Sequence, residues 1–503
     1  MSKIEVEGMH RLQGEAAVQG SKNAVLPILS ACVLNEGETI LHGCPKIRDV
    51  SSMLEALECA GAKIAWEGNT VILDTSVMYP APFIEKAGCM RSSVMLLGSF
   101  LGRFGRAILG YPGGCRIGKR PIDLHEQTLN AMGVIFCEEE DYLEGRCASL
   151  EGCDLYLPYP SVGVTENILL AASNASGMTR IYGAAKEPEI TELCKFLTLL
   201  GVRIDGIGTD RLSIMGGRLK NHVEYQICTD RIVAGTYLFA VAGTGGDVIL
   251  KNAPLSHMKS TIQTVGRLGA KLSRCGNDVR IQMKKTPNAI RCIRTAPYPE
   301  FPTDLQSPLL SVLCKADGYS KIEERIFENR FLIVKELQKM GANVVTEGRC
   351  AYVSPVKRLT GSCVEATDLR GGAALVIAAM EAEGKSVIEN YSEAKIKEIK
   401  EKLVELGVEV SLDTHGTPEA VISEESEPEY ELEELNVDEM TPGEREEYEK
   451  KVKRVQELKD ELQEFKDIYE ANKSQFFGEG LKRKNYSEIK IKEIREKLTE
   501  LTS

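Results

Sequence analysis

The chain has 503 residues, a formal net charge of −12 and 43% hydrophobic residues. That length and apolar content predict two or three globular domains with sizeable cores. The sequence contains no signal peptide and no run of about 18 apolar residues, so we expect a cytoplasmic protein without a membrane partner.

The negative charge is concentrated near the C-terminal end. Residues 411–503 contain 26 acidic and 15 basic residues, so residues 1–410 are close to neutral. A neutral body lacks the basic patch of a nucleic-acid-binding protein, and we predict no nucleic-acid partner. The 15 cysteines contain no Cys-x-x-Cys pair and the six histidines show no ligand spacing. These patterns predict reduced thiols and no metal site.

The first informative element follows Gly20. The sequence G-S-K-N-A at 20–24 precedes an apolar run at 25–33, which predicts a helix that begins near Lys22. A helix N-terminus is a natural anion site, so Lys22 and Asn23 are candidate anion ligands. Arg91 opens the next apolar stretch. The alternative for Lys22 is an ordinary exposed lysine, and the alternative for Arg91 is an arginine that merely starts a helix.

A glycine-rich segment, Y-P-G-G-C-R-I-G-K-R-P at 111–121, separates a predicted strand at 107–110 from a predicted helix at 123–132. It places the thiol of Cys115 among three cations, Arg116, Lys119 and Arg120. Nearby cations favour a thiolate and also bind phosphate or carboxylate. Because position 120 is not Ser or Thr, the segment does not fit a P-loop. It predicts a lid with a reactive thiol, and the alternative is a turn with an inert cysteine.

Two aspartates directly precede predicted helices. Asp304 follows A-P-Y-P-E-F-P-T, in which three prolines stiffen the chain, and Asp368 precedes Arg370 and an apolar run. Either aspartate suits a helix N-cap or a catalytic carboxylate, and the residues alone leave both readings open.

An internal repeat organises residues 1–410. A helical pattern ends six times in a glycine, at intervals of 66 to 72 residues, with Leu or Val four residues earlier. Such glycines suit the left-handed position that closes a helix. Six α/β units of this size must pack together to bury their faces. The glycines are Gly61, Gly133, Gly201, Gly269, Gly341 and Gly407.

The C-terminal part differs in character. Residues 411–440 predict an acidic linker and residues 441–503 a helical tail, because apolar residues recur there every seven positions. Self-association and binding to another protein both stay open as roles of the tail. Residues 485–501 repeat residues 390–406 at 14 of 17 positions, without the closing glycine.

Six motifs lie in the body: G-S-K-N-A (20–24), P-G-G-C-x-I-G-x-R-P (112–121), E-P-E (187–189), F-P-T-D (301–304), F-E-N-R (327–330) and D-L-R (368–370). In order and spacing they resemble the UDP-N-acetylglucosamine 1-carboxyvinyltransferase family of enolpyruvyl transferases. The resemblance implies an inside-out α/β barrel of two domains with three repeats each. Residues 1–20 and 229–410 would form one domain and residues 21–228 the other, with the active site in the cleft between them.

The resemblance also implies a reaction. The enolpyruvyl group of phosphoenolpyruvate would pass to the 3′-hydroxyl of UDP-N-acetylglucosamine, with release of phosphate and without a metal or cofactor. This is the first committed step of peptidoglycan precursor synthesis. Addition requires an acid for the methylene carbon and a base for the hydroxyl. By resemblance Cys115, the target of fosfomycin, is the acid or covalent thiol, Asp304 is the base, and Lys22 is the third catalytic residue.

The substrate ligands are likewise implied by resemblance. The phosphoenolpyruvate ligands would be Lys22, Asn23, Arg91, Arg120 and Arg370. The UDP-sugar ligands would be Asn23, Arg91, Arg120, Pro121, Ile122, Asp123, Leu124, Ser161, Val162, Gly163, Asp304 and Ile326.

One family residue is missing. The family usually has an arginine before its last helix, and Ala394 falls at that place here. This departure leaves an alternative function, a catalytically weakened relative that binds UDP-sugar and acts through its tail in regulation or scaffolding. A shikimate-pathway enolpyruvyl transferase and a relative of the RNA-phosphate cyclases are further alternatives. The P-G-G-C lid argues against the shikimate-pathway enzyme, and the neutral body argues against the cyclase relative.

Overall fold

The computed structural model describes residues 3–80, 91–110, 122–138, 142–217, 222–390, 410–411, and positions 452, 453, 456, 459, 460 and 463. The chain divides into two units, Met1–Thr414 and His415–Ser503. The predicted linker and helical tail therefore lie almost entirely outside the described residues. No described helix is long and apolar enough to cross a membrane.

Five of the six predicted helix ends close in the same way. The N–H of Gly61 donates to the carbonyl of Glu58 at 2.9 Å, and that of Ala62 donates to the carbonyl of Leu57 at 3.1 Å. The same two bonds recur at the next four glycines, and all five have positive φ. This Schellman geometry requires a left-handed residue, which glycine adopts without steric cost. The repeat is confirmed at Gly61, Gly133, Gly201, Gly269 and Gly341, and Gly407 lies outside the described residues.

The apolar residue four positions before each glycine anchors its helix. These side chains have no exposed surface, so each capped helix packs against its unit through the same position. They are Leu57, Leu129, Leu197, Val265 and Leu337.

The described helices alternate between amphipathic helices and helices that are buried on nearly all sides. They are α1 (Lys22–Cys32), α2 (Arg48–Cys59), α3 (Leu96–Phe104), α4 (Asp123–Ala131), α5 (Val162–Ala172), α6 (Pro188–Leu200), α7 (Arg231–Thr244), α8 (Lys259–Arg267), α9 (Gln306–Cys314), α10 (Val334–Lys339) and α11 (Leu369–Glu381). Short 3₁₀ turns cover Arg91–Met95, Leu255–His257 and Thr303–Leu305.

The described strands are short. They are β1 (Ile4–Glu7), β2 (Leu12–Ala17), β3 (Glu38–His42), β4 (Lys63–Glu67), β5 (Thr70–Asp74), β6 (Arg106–Gly110), β7 (Ile135–Glu138), β8 (Tyr142–Arg146), β9 (Asp154–Tyr156), β10 (Met178–Tyr182), β11 (Arg203–Asp205), β12 (Arg211–Met215), β13 (His222–Gln226), β14 (Gly246–Lys251), β15 (Lys271–Cys275), β16 (Asp278–Met283), β17 (Ile293–Arg294), β18 (Ser320–Glu323), β19 (Asn343–Glu347), β20 (Cys350–Ser354), β21 (Cys363–Glu365), β22 (Lys385–Glu389) and β23 (Val410–Ser411).

The strands form sheets of one recurring design. The orders are β13-β3-β5-β4, β6-β8-β7, β9-β10-β12-β11, β2-β14-β16-β15, β17-β18-β20-β19 and β21-β22-β1-β23. Each four-stranded sheet has one parallel pair and two antiparallel pairs. In the last sheet, β1 from the start of the chain pairs with β22, Ile4 opposite Ile388. The first strand of the chain thus completes the last repeat.

The buried side chains form two separate hydrophobic cores. One core contains residues between Val25 and Ile227, and it includes α1, α3 and α5. The other contains residues 4–18 and 232–388, and it includes α7, α9 and α11. Helices that are apolar all round belong in a protein interior, so the buried helices lie inside. The predicted domain boundaries at residues 20 and 229 fall between the two cores and stay a prediction.

The chain passes between the two cores twice, at adjacent places. Ser21 N–H donates to the carbonyl of Cys228 at 2.7 Å, and Asp230 N–H donates to the carbonyl of Gln19 at 2.8 Å. These bonds tie the two crossings together at the start of α1 and of α7. The N-termini of these two buried helices therefore meet at the boundary between the cores.

Candidate active site

Asp304 lies at the centre of a cluster of cations. It sits on the 3₁₀ turn before α9, and its side chain is 25% exposed. Arg330 donates to one carboxylate oxygen at 2.5 Å and Arg370 to the other at 3.2 Å. Burial by itself raises the pKa of this carboxyl, but four cations outweigh burial and hold the pKa below its usual range: Arg370, Arg330, Lys22 and Arg231.

Arg330 is held between two aspartates. Its side chain is 3% exposed, and its second terminal nitrogen lies 3.7 Å from an oxygen of Asp368. The same oxygen of Asp368 accepts the backbone N–H groups of Arg370 at 3.0 Å and Gly371 at 3.2 Å. Asp368 therefore caps α11 and helps to fix two arginines beside Asp304.

The two aspartates that the sequence left ambiguous have different roles. Asp368 is a helix N-cap, the role that its position before α11 suggested. Asp304 makes no capping bond to α9, so its carboxylate remains directed toward the arginines. The helix-cap reading is wrong for Asp304.

Lys22 is the first residue of α1, as predicted. Its backbone N–H donates to Asp230, the N-cap of α7, at 3.1 Å, and its Nζ lies 2.5 Å from Asp49. The side chain is 24% exposed. Asn23 is half-buried on the next position of the same helix. The bond to Asp230 places the start of α1 against the start of α7, near Asp304.

The predicted UDP-sugar residues on α4 and α5 lie side by side. Ile122 precedes α4, and Ser161 is the N-cap of α5, with its hydroxyl 3.5 Å from the N–H of Val164. The buried His125 links the two helices, since its Nδ1 lies 2.8 Å from the amide nitrogen of Asn167. A side chain at position 163 would come within 3.3 Å of the same imidazole, so Gly163 permits close packing. The structure thus joins the groups 122–124 and 161–163.

Glu187 and Glu189 reach across to the other core, a connection that sequence reasoning missed. Arg231 donates to the two oxygens of Glu189 at 2.9 and 3.2 Å. The backbone N–H of Tyr298 donates to Glu187 at 3.2 Å, and burial raises the pKa of Glu187. The E-P-E motif was the available signal, but nothing near Arg231 in the sequence points to its partner.

Arg330 was also absent from the predicted site residues. Its signal was the F-E-N-R motif, which carried the family resemblance without a role. Ile326, the predicted UDP-sugar contact on the same segment, is half-buried and donates its N–H to Glu324 at 2.8 Å.

Several predicted residues lie outside the described residues. Cys115, Arg120, Pro121 and Ala394 belong to this group, and for Arg91 only the backbone is described, at the start of the 3₁₀ turn Arg91–Met95. The described part of the predicted site therefore consists of Lys22, Asn23, Ile122, Asp123, Leu124, Ser161, Val162, Gly163, Asp304, Ile326 and Arg370.

Comparison with known proteins gives a family for this chain. Residues 6–403 match the family described as EPSP synthase (3-phosphoshikimate 1-carboxyvinyltransferase). UDP-N-acetylglucosamine 1-carboxyvinyltransferase 2 of Caldanaerobacter subterraneus subsp. tengcongensis is 44% identical over 391 residues, 77% of this chain and 94% of the relative. UDP-N-acetylglucosamine 1-carboxyvinyltransferase of Geotalea uraniireducens is 39% identical over 82% of this chain and 99% of its own.

Solved structures share the fold at lower identity. The enolpyruvyl transferase NikO from Streptomyces tendae is 21% identical, with a TM-score of 0.74 over 82% of this chain and 99% of its own. EPSP synthase from Acinetobacter baumannii is 19% identical, with a TM-score of 0.62 over 82% of this chain and 100% of its own. The predicted two-domain, inside-out α/β class is confirmed by these neighbours. Residues 411–503 lie beyond the family match.

Proposed function

This chain belongs to the UDP-N-acetylglucosamine 1-carboxyvinyltransferases, and we propose that it transfers the enolpyruvyl group of phosphoenolpyruvate to the 3′-hydroxyl of UDP-N-acetylglucosamine. Phosphate is the second product, and the reaction opens peptidoglycan precursor synthesis in the cytoplasm. The observation that carries the proposal is the ionised carboxylate of Asp304, which accepts bonds from Arg330 and Arg370.

Asp304 receives the proton of the sugar hydroxyl in this proposal. A carboxylate with a lowered pKa is a weak base, so the free site favours a hydrogen bond to the hydroxyl over proton removal. Phosphoenolpyruvate brings negative charge that offsets the same cations. When both substrates are bound, the pKa of Asp304 therefore rises and the carboxylate becomes a stronger base.

The cations bind the anionic substrate and stabilise charge as it develops. Lys22 and Arg370 are placed beside Asp304, and Arg91 and Arg120 join them by resemblance to the family. Positive groups that are fixed before the reaction stabilise the tetrahedral intermediate without reorganising. Cys115 supplies the proton to the methylene carbon or adds as a thiol.

The UDP-sugar lies along the group formed by residues 122–124 and 161–163, with Asn23 and Ile326 as further contacts. In this arrangement each core belongs to a separate domain. One domain consists of residues 1–20 and 229–410, the other of residues 21–228, and the substrates bind between the two domains. The bonds between Glu189 and Arg231 hold these domains together beside the site.

Phosphate release tests the proposal. The purified protein should release phosphate from phosphoenolpyruvate only when UDP-N-acetylglucosamine is present, and an Asp304→Asn variant should release far less. Equal release with shikimate 3-phosphate would contradict the assignment. Binding of UDP-N-acetylglucosamine without any turnover would favour the weakened relative.

A further inference from the structure

We propose that Glu324 is a positioning residue for this reaction, because one buried carboxylate holds together three parts of the site. The proposal rests on the function proposed above. Glu324 directly follows β18 and is 1% exposed. It acts through the hydroxyl of Thr303, through Arg330, which that hydroxyl contacts, and through the backbone N–H of Ile326, a predicted UDP-sugar ligand.

The carboxylate of Glu324 joins two segments that are distant in sequence. One oxygen accepts the backbone N–H of Ile326 at 2.8 Å and that of Phe327 at 3.1 Å. The other oxygen accepts the hydroxyl of Thr303 at 2.9 Å. Ile326 is a predicted UDP-sugar contact, and Thr303 precedes Asp304 on the same 3₁₀ turn. Glu324 therefore sets the distance between the sugar contact and the base.

A relay of hydrogen bonds runs from Glu324 to the guanidinium group of Arg330. The hydroxyl oxygen of Thr303 accepts from Arg330 Nε at 3.2 Å. A hydroxyl has one proton and two lone pairs, and a carboxylate can only accept. The Thr303 hydroxyl therefore donates its hydrogen to Glu324 and keeps a lone pair to accept from Arg330. In a buried chain of this kind each bond polarises and strengthens the next.

This relay orients the planar guanidinium group. With Nε fixed by Thr303, one terminal nitrogen donates to Asp304 at 2.5 Å and the other lies 3.7 Å from Asp368. Rotation of the plane would lose these contacts together, because the five donors of an arginine have a rigid geometry. Loss of Glu324 should therefore release Arg330 from Asp304 although neither residue is changed.

Glu336 provides a matched control in the same core. It is also buried, at 8% exposure, and it also accepts a backbone N–H, that of Glu365, at 2.9 Å. Its second described contact is Lys339 Nζ at 2.7 Å. Glu324→Gln and Glu336→Gln thus remove comparable buried charges, and only the first breaks the relay to Arg330.

The experiment measures kcat and KM for both substrates in Glu324→Gln, Thr303→Val, Thr303→Ser and Glu336→Gln. A hydrogen bond in a charged network typically contributes enough for a 10- to 100-fold effect, so we expect kcat/KM to fall by about that factor in Glu324→Gln and in Thr303→Val. Thr303→Ser keeps the hydroxyl and should retain most activity. Combining Glu324→Gln with Thr303→Val should cost little more than either change, since both break one relay.

The pH profile separates positioning from simple destabilisation. Asp304 faces Arg330, Arg370, Lys22 and Arg231. Weakening only the Arg330 contact should raise the pKa of Asp304. The acidic limb of kcat, which reports the substrate complex, should therefore move to higher pH in Glu324→Gln and should not move in Glu336→Gln. If the unmodified chain is active, and Glu324→Gln has the same kcat, KM and pH profile as Glu336→Gln, the inference is overturned.

If Glu324→Gln does not fold, the Thr303 pair decides the question. Loss in Thr303→Val with retention in Thr303→Ser supports the relay, and equal activity in both overturns it. An unmodified chain that neither turns over nor binds UDP-N-acetylglucosamine in calorimetry overturns the proposed function, and this inference falls with it.

Discussion

Arg231 and Glu189 form a two-pronged ion pair between the two hydrophobic cores, with donor–acceptor distances of 2.9 and 3.2 Å. Their side chains are 11% and 5% exposed. The Arg231 guanidinium also lies over the ring of Tyr298, 5.6 Å from its centre. The pair connects α6 to α7, beside the place where the chain crosses from one core to the other.

Breaking this pair should destabilise the protein strongly. Removing one partner of a buried ion pair leaves an uncompensated charge and typically costs about 3–5 kcal/mol. We expect a loss of that order in Arg231→Met, measured as the free energy of unfolding in denaturant. The exposed pair of Arg180 and Asp154 supplies the control, since Arg180→Met should cost less than about 1 kcal/mol. Equal losses in the two variants would contradict the argument from burial.

Replacing Asp304 should lower the activity and should also make the free energy of unfolding less sensitive to acid. Loss of a general base typically lowers kcat by about 100- to 10,000-fold, which we expect for Asp304→Asn. The pKa of Asp304 is lower in the folded than in the unfolded chain. Its stabilisation is therefore present above the unfolded pKa of about 3.9 and is lost as pH falls toward the folded value.

Denaturant unfolding at a series of pH values tests the second part. The unmodified protein should lose free energy of unfolding more steeply below about pH 4 than Asp304→Asn does. Parallel curves for the two proteins would show that the cations around Asp304 do not lower its pKa.

Glu381 on α11 should make stability depend on pH in the opposite direction. Both of its carboxylate oxygens are buried without a hydrogen-bond partner among the described residues. Burial raises its pKa to about 8, and Lys315 offsets this only in part. One oxygen packs so closely on Gly243 that an added side chain there would clash. The folded chain thus holds a proton that the unfolded chain releases.

Stability should consequently fall between the unfolded pKa of about 4.3 and pH 8, by up to about 1.4 kcal/mol per pH unit. Glu381→Gln removes this ionisation and keeps the shape of the side chain. We expect the free energy of unfolding of Glu381→Gln to change less between pH 5 and pH 8, as measured in denaturant. A slope equal to that of the unmodified protein would show that Glu381 ionises normally.

Fosfomycin should label Cys115 selectively. Burial raises the pKa of Cys44, Cys194 and Cys228 to about 12, so these thiols are poor nucleophiles. Peptide mapping after treatment should find the adduct on Cys115, with little on the exposed Cys59. Comparable labelling of Cys59 would show that the segment 111–121 does not activate its thiol.

With Ala394 in place of the arginine that the family usually has, the chain should bind phosphoenolpyruvate more weakly. Loss of one charge-assisted contact to an anion costs roughly 1.5–3 kcal/mol, or about 10- to 100-fold in affinity. The predicted UDP-sugar ligands lie at other positions, so calorimetry should find ordinary affinity for UDP-N-acetylglucosamine and weak saturation by phosphoenolpyruvate. Lys395 or Lys397 could replace the arginine only as a point charge. Tight saturation by phosphoenolpyruvate would show that another cation fills the position.

Much of the fold could be predicted because its signals are local. A glycine that closes a helix donates its N–H to the carbonyl three residues earlier, and the next residue donates to the carbonyl five residues before itself. That second carbonyl belongs to the residue whose side chain anchors the helix, only four positions before the glycine. Six such endings identified the repeat, and the motif order identified the family. The helix starts at Lys22 and Asp123 also follow from neighbouring residues.

The role of each carboxylate was decided only in the folded chain. Asp304 and Asp368 both precede helices, and local sequence offers the same N-cap to each. Asp304 instead meets Arg330, 26 residues away, and Arg370, 66 residues away. The same is true of Glu189 with Arg231 and of Glu324 with Thr303. Short-range hydrogen bonding determined where helices begin and end, whereas the burial of charge beside distant partners determined which side chains form the site.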